Sequence, residues 1–356
     1  MADGSKRVFY VKYLAHNNFI DILGRRSDIR LDKLENDSAD DVAAPILAGA
    51  HAFQIGSARD ELAKKYHADR DLLRRTQSLL IVSTNGAGYD TVNLAACTDA
   101  GVLVVNQAGG NKEPVAEHAL AMMLNLTKRI IETDRAMRRD KDLNRNLFIG
   151  SDLQHKTVGI IGLGNVGKRL AELCRGLFSM RVLSYDPYVP AEVMTRHGIE
   201  KVALDDLMRQ ADFVSINCPL TDETRGMVGA KEYALMKPSA YLVNTARGSI
   251  HDEVSLADAL RAKKIAGAGL DVWEKEPPPL DHPLMQMDNV LVSPHTAGVT
   301  REGRENMGRF AAEQMIAALD GKPVARVLNP AVWPRYAARF KETFGFAPQG
   351  GPDVGG

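Results

Sequence analysis

The run from Val158 to Gly167, Val-Gly-Ile-Ile-Gly-Leu-Gly-Asn-Val-Gly, constrains this chain more than any other segment. Its apolar start predicts a strand over Val158–Ile161, and Leu170, Leu173 and Leu177 follow on what reads as a helix. A G-x-G-x-x-G between strand and helix, with an acidic residue about 20 positions on, is a dinucleotide-binding fingerprint. Here Asp186 stands 19 residues past Gly167, at the end of the next apolar run. Gly162 permits the tight turn, Gly164 lets backbone approach a pyrophosphate, and Gly167 lets helix and strand pack closely. With Asn165 and Val166, they open a helix whose free N–H groups and positive dipole end suit phosphate. Gly162 to Lys168 also fits the G-x-x-x-x-G-K half of a nucleotide-hydrolase loop, but Arg169 stands where a magnesium-binding hydroxyl is needed. Asp186 would accept from ribose hydroxyls and repel a 2′-phosphate, and Pro187 and Tyr188 follow it instead of arginine, so NAD is expected over NADP.

At 356 residues the chain exceeds what one core usually supports, so two domains are expected. Apolar β-rich runs alternate with helical stretches, an α/β pattern. A first block offers strands at Val8–Leu14, Phe53–Ile55, Leu79–Ser83 and Val102–Val105, with a helix over Asp90–Ala100 opened by Asp90 or Thr91. A helix from Pro114 carries a stripe of Val115, Ala119, Met122, Leu126 and Ile130, and Arg135–Gln154 reads as charged, irregular and exposed. A second block offers strands at Val158–Ile161, Val182–Tyr185, Phe213–Asn217, Tyr241–Asn244, Gly267–Leu270 and Val290–Ser293. They are rich in Val, Ile and Leu with little alternation, as strands buried on both faces should be. A long helix over Thr300–Leu319 would turn Met307, Phe310, Met315 and Leu319 inward. Its length implies that the chain crosses back to the first block, with hinges near 106–114 and 298–300. The expected division is therefore 1–106 plus 299–332 for a discontinuous first domain and 107–298 for the dinucleotide domain. Residues 333–356 form a C-terminal extension with a Gly/Pro-rich, mobile end.

Lys plus Arg and Asp plus Glu number 45 each, so no bulk charge draws the chain to nucleic acid or an anionic membrane. Cys97, Cys174 and Cys218 have neither knuckle nor disulfide spacing, which fits a reducing cytoplasm. No run is long and apolar enough for a membrane span, and Met1–Arg7 is unlike a signal peptide.

In open α/β sheets ligands gather at the carboxyl ends of the strands. Those ends in the second block carry the Gly loop, Asp186, the Cys218–Thr221 loop with Pro219, Thr245-Ala246-Arg247-Gly248, Asp271, and Pro294-His295-Thr296-Ala297-Gly298. Arg247 can clamp a carboxylate with its planar fork. His295 suits acid/base work; Glu276 or Glu274 could pair with it, favour imidazolium and raise its pKa. Asn85-Gly86-Ala87-Gly88-Tyr89-Asp90 could offer turn amides to a carboxylate, or be a plain strand-to-helix turn. Glu113, Glu117 and His118 read as helix surface, not metal ligands, and Cys218 as a small residue packed near the cofactor. His251 and His282 have no supporting constellation, and Arg135, Arg138 and Arg139 read as a solvated face.

Asn85–Asp90, Val115-Ala116-Glu117-His118, Gly162–Gly167, Asn244–Gly248, Leu270-Asp271-Val272-Trp273, Glu276-Pro277 and Ser293-Pro294-His295 together resemble the D-isomer-specific 2-hydroxyacid dehydrogenase family. The resemblance spans roughly residues 80–310 and implies two Rossmann-like doubly wound domains, the first flavodoxin-like. It implies that Arg247 holds substrate carboxylate and carbonyl, that His295 shuttles the proton, and that Glu276 is its partner. Asn85, Ala87 and Gly88 would bind substrate; Pro219, Thr224, Thr245, Ala246, Arg247, Asp271, His295 and Gly298 would face the cofactor. A homodimer through the NAD-binding domain is expected. Arg139–Gln154 lacks a tryptophan many relatives carry, Ile55–Arg59 offers only Arg59 as a basic residue, and no amino-acid-sensing regulatory domain is expected. The activity implied is hydride transfer between NAD(H) and a small 2-hydroxy or 2-keto acid. The alternatives are phosphoglycerate dehydrogenase and an NAD-sensing binding protein without turnover; a formate-oxidising relative would be expected to carry Gln at 276.

Overall fold

The computed structural model describes residues 5–351, so the end of the glycine-rich tail lies outside the described residues. The chain forms two compact units, 1–111 with 300–356, and 112–299.

In the first unit five strands, β1 (Lys6–Val11), β2 (Ile29–Leu34), β3 (Ala52–Ile55), β4 (Ile81–Thr84) and β5 (Leu103–Val105), form a parallel sheet in the order β2-β1-β3-β4-β5. This is the flavodoxin-like order. Alternate residues serve two cores: Val8, Tyr10, Ala52, Ile81 and Leu103 on one face, and Phe9, Val11, Phe53, Val82 and Val104 on the other. That two-sided burial explains the missing polar alternation. Helix Arg301–Leu319 belongs to this unit, with Met307, Met315 and Leu319 buried. Phe310 differs from expectation: it is half-buried, its ring covered by the guanidinium groups of Arg309 and Arg326 at 4.8 and 4.3 Å.

Three further readings need correction here. β1 stops at Val11 because Lys12 takes a left-handed backbone, φ 65°. β2 escaped notice because its Arg30, Asp32 and Lys33 mask its apolar residues; as an edge strand it bonds Asp32 to Arg7 and Arg30. The helix in 90–100 is shorter, Leu94–Asp99, and Asn93 caps it through the Ala96 amide; the Thr91 hydroxyl donates instead to Gly56 O. The expected extension is part of this unit: helix Trp333–Phe344 buries Tyr336 and Phe340 against Ala318 and Leu319.

In the second unit β6 (Thr157–Ile161), β7 (Arg181–Tyr185), β8 (Glu200–Lys201), β9 (Phe213–Ile216), β10 (Tyr241–Asn244), β11 (Gly267–Leu270) and β12 (Val290–Val292) pair in parallel in the order β12-β11-β10-β9-β6-β7-β8. The order reverses between β6 and β9, the switch point at which such sheets bind nucleotides. Two-residue β8 is exposed and charged, so no apolar signal marks it. Helix Lys112–Lys128 starts two residues before Pro114 and buries Val115, Ala119, Met122 and Leu126. Ile130 leaves that stripe: Arg129 at φ 54° breaks the helix, and Ile130 opens a second helix with its side chain exposed. That helix runs to Arg139, so 135–139 is helical and not irregular. Among the described residues no helix is long and apolar enough to cross a membrane.

Candidate active site

The glycine loop leaves β6 at Gly162, which takes φ 91°. A Cβ there would lie 2.7 Å from the Cys218 backbone, and one on Gly167 would lie 2.4 Å from Gly162 O. A Cβ on Gly164 would meet nothing within 4 Å. Thus two glycines are required by close packing, and the third keeps the helix start open. Gly164 is the N-cap of helix Asn165–Phe178 and places no side chain over its N–H groups. Asp186, at the end of β7, accepts the Leu163 amide at 2.8 Å on one oxygen and the Tyr188 and Val189 amides on the other. It therefore fixes the loop shape while remaining partly exposed to a ribose.

Arg247 leaves β10 in extended conformation, N-caps the short helix Gly248–Ile250 and donates to Ala246 O at 2.7 Å. Asn244 holds this corner: its Nδ2 donates to Arg247 O and its Oδ1 accepts the Ala246 amide. His295 Nδ1 lies 2.7 Å from Glu276 Oε2, while Glu276 Oε1 accepts the Trp273 amide at 3.0 Å. This resolves the choice between acids: Glu276 pairs with the imidazole, and exposed Glu274 does not. A carboxylate partner makes Nδ1 the protonated donor, leaving Nε2 as the atom that can give or take a proton.

Burial alone would lower the His295 pKa, but the hydrogen bond and charge of Glu276 prevail and raise it above 6.5; Arg247 opposes and Asp271 assists. Burial alone would raise the Glu276 carboxyl, but His295, the Trp273 amide and Arg247 hold it below its ordinary range. The charge of Arg247 thus favours the deprotonated form of both partners, although 48 positions separate Arg247 from His295.

His295 has a left-handed backbone, φ 56°, which a non-glycine residue adopts only when held there. Asp271 supplies the hold. Its carbonyl accepts the His295 amide at 2.7 Å, and its fully buried carboxylate accepts Ser293 Oγ and the Thr296 and Ala297 amides at 2.6 to 2.9 Å. His118 Nε2 extends this network to Ser293 Oγ at 3.1 Å, so it is not simply helix surface. Glu113 is paired bidentately with Arg169, and no metal-binding cluster occurs among the described residues.

The remaining strand ends fit a dinucleotide. Thr245 Oγ1 and Asn217 Oδ1, at the ends of neighbouring β10 and β9, are buried without a hydrogen-bond partner. Buried polar atoms are normally satisfied, so these two suit a ligand. Thr224 Oγ1 closes the loop after β9, donating to Pro219 O and accepting the Thr221 amide. Gly298 follows the segment that Asp271 holds and is half-buried. Burial pushes the Cys218 thiol up to about 11, which makes it a packing group.

In the first unit, the Asn85 side chain is buried and engaged with Gln54 and Tyr13 O. Ala87 O accepts from Asn106, but among the described residues no acceptor takes the Ala87 or Gly88 amide. The backbone, not the Asn85 side chain, is what this turn offers a ligand.

Two histidines have partners after all. His251 Nδ1 meets Asn244 Nδ2 at 2.9 Å, behind the Arg247 corner, and burial lowers its pKa to about 4. His282 pairs with Glu253 at 3.1 Å. Asn244, Ser293 and His118 lie in the motifs that carry the resemblance, but their supporting contacts, like those of Glu253 and His282, join residues distant in sequence and were missed. Only Glu253, one residue past the helix cap Asp252, sits where an acid suits a helix start.

The NAD-binding domain of D-isomer specific 2-hydroxyacid dehydrogenases matches residues 120–297. The chain is 39% identical over 294 residues to D-3-phosphoglycerate dehydrogenase of Archaeoglobus fulgidus, covering 79% of this chain and 55% of that protein. It is 35% identical over 322 residues to glyoxylate/hydroxypyruvate reductase B of Pectobacterium carotovorum, covering 90% of this chain and 98% of that protein. The chain spans about half the length of the phosphoglycerate dehydrogenases it matches. The structure of D-lactate dehydrogenase from Aquifex aeolicus with NAD and lactic acid superposes with a TM-score of 0.74 at 27% identity, covering 88% of this chain and 96% of that one.

Proposed function

The chain belongs to the D-isomer specific 2-hydroxyacid dehydrogenase family, and from that premise we propose that it interconverts a small D-2-hydroxy acid and its 2-keto acid with NAD(H). The observation that carries the proposal is the 2.7 Å His295–Glu276 pair under the charge of Arg247. NAD, when bound, supplies or receives the hydride. Gly162, Gly164, Asn165, Val166 and Gly167 would cradle its pyrophosphate, and Asp186 its ribose. Pro219, Thr224, Thr245, Ala246, Asp271 and Gly298 would line the rest, with Asp271 also holding the His295 loop.

In reduction, the Arg247 guanidinium orients the keto acid and stabilises charge growing on its carbonyl oxygen. His295, protonated beside Glu276, gives its Nε2 proton to the oxygen that becomes the hydroxyl; in oxidation the neutral ring takes it back. Glu276 remains ionised throughout and holds the ring.

The test follows NADH oxidation with glyoxylate, hydroxypyruvate, pyruvate and phosphohydroxypyruvate. Turnover of at least one supports the proposal and ranks the acyl groups. Silence on these and a broader keto-acid panel, with tight NADH binding, would favour a sensor instead.

The cysteines are free, which supports a cytoplasmic setting. Ile130, Met137, Leu147 and Ile149 expose apolar side chains along one segment of the second unit, which supports a homodimer through it. Sedimentation of wild type and Ile149→Asp tests this: loss of a dimer in the variant is expected, and a wild-type monomer refutes it.

A further inference from the structure

Behind the His295–Glu276 pair lies a second histidine–glutamate pair. Glu253, on the first turn of helix Glu253–Arg261, is nearly buried and has both oxygens engaged. Oε1 accepts the Glu274 amide at 2.7 Å, and Oε2 lies 3.1 Å from His282 Nε2. The Leu284 amide meets His282 Nδ1 at 3.4 Å, so Nδ1 is the acceptor and Nε2 carries the hydrogen that Glu253 receives. The His282 ring stands edge-on to Trp273, centroids 5.5 Å apart at 77°.

These contacts meet on one short turn. Trp273 gives its amide to Glu276 and its indole N–H to Ser293 O, which ties the turn to the segment before His295. A Cβ on Gly248, the neighbour of Arg247, would lie 1.9 Å from the Trp273 carbonyl carbon. The corner carrying Arg247 and the turn carrying Glu276 therefore abut without spare room. Their mutual position depends on what clamps residues 273–274 from behind.

We propose that Glu253 and His282 are positioning residues that clamp the 273–276 turn and so set where Glu276 meets His295 and Arg247. Neither touches the reacting atoms. The proposal rests on the dehydrogenase reading for its effect on turnover, but its effect on the His295–Glu276 pair exists in the resting protein. Turnover also depends on Glu276 being placed to within a fraction of an ångström, because small displacements of catalytic groups carry large rate penalties.

The experiment compares wild type, Glu253→Gln, His282→Leu and His282→Gln by NMR titration of the His295 ring, assigned against His295→Ala, and by steady-state kinetics. In Glu253→Gln only one acceptor oxygen remains, so the new amide N–H faces either the Glu274 amide or the His282 N–H, and one arm of the clamp breaks with little change in volume. The His295 midpoint is expected to fall by about half a unit in Glu253→Gln and His282→Leu as Glu276 loosens. With turnover established, kcat is expected to fall about 10- to 100-fold with NADH affinity unchanged. His282→Gln, whose amide can still donate to Glu253, is expected to restore most of both. An unmoved His295 midpoint in folded Glu253→Gln and His282→Leu overturns the clamp, whatever their melting temperatures. His282→Gln no better than His282→Leu overturns the hydrogen bond as its basis. If wild type turns over no keto acid, the functional reading fails while the titration still decides the clamp.

Discussion

The two units solve one structural problem in two ways. Each has a parallel sheet, and in each a strand runs through a glycine-bearing turn into a helix. After β6 only residues 162–164 intervene, and the 14-residue helix Asn165–Phe178 starts at a glycine N-cap without a side-chain bond. After β4 residues 85–93 intervene, and the six-residue helix Leu94–Asp99 is capped by Asn93. The first arrangement leaves helix N–H groups and dipole available to an anion; in the second the Asn93 side chain takes the Ala96 amide. Topology alone therefore does not make a nucleotide site. The short, uncapped glycine turn leaves a helix start open to an anion, in the unit that also carries Arg247, Glu276 and His295.

The largest expected effect locates the chemistry. His295→Ala should lower kcat by about 10²- to 10⁴-fold while leaving NADH affinity near wild type. Near-normal turnover would remove the second unit's claim to the proton step. In wild type the same group fixes the pH profile. Its pKa is raised by Glu276, so keto-acid reduction should decline only as pH rises past that raised value, where the imidazole loses its proton. The linked stability has the same sign. The His295–Glu276 contribution is full below the unfolded pKa of about 6.5 and disappears as pH passes the higher folded value. A profile that falls only toward acid would contradict this assignment.

Gly162→Ala strikes the turn that distinguishes the units. Its φ of 91° and the 2.7 Å approach to Cys218 leave no place for a methyl group. NADH affinity in a fluorescence titration should weaken about 100-fold, equivalent to about 3 kcal/mol. A smaller change follows at Asp186. Replacement by Ser removes the charge facing a 2′-phosphate and loosens Leu163, so preference for NADH over NADPH should shrink about tenfold. An unchanged cofactor ratio would relieve Asp186 of that role. The smallest effect falls in the first unit. Asn93→Ala removes the Ala96 cap and should cost about 1 kcal/mol of stability in denaturant titration, with NADH affinity unaltered. A loss of NADH affinity there would blur the contrast between the two turns.

Much of this molecule was legible before folding was considered. The α/β alternation, the glycine loop and Asp186 are written in neighbouring residues, because strand, turn and helix start are local events. The strands escaping notice were edge strands, β2 and β8, whose charged residues erase the apolar signal. Helix Trp333–Phe344 reads as an extension in sequence for a related reason. Tyr336 and Phe340 have no core of their own and acquire one only when Ala318 and Leu319 pack against them.

Sequence by itself determined the two kinds of sheet, the place of the dinucleotide turn and the identity of the charged groups at the strand ends. The resemblance pointed to Glu276 over Glu274, and the fold brings Glu276 to His295; tertiary structure alone decided that Asp271 holds the His295 loop and that Glu253 and His282 stand behind the turn. The physical reason is distance along the chain. A turn or cap is set by interactions within a few residues, whereas an ion pair across 19 or 29 positions exists only once separate strands have been brought side by side.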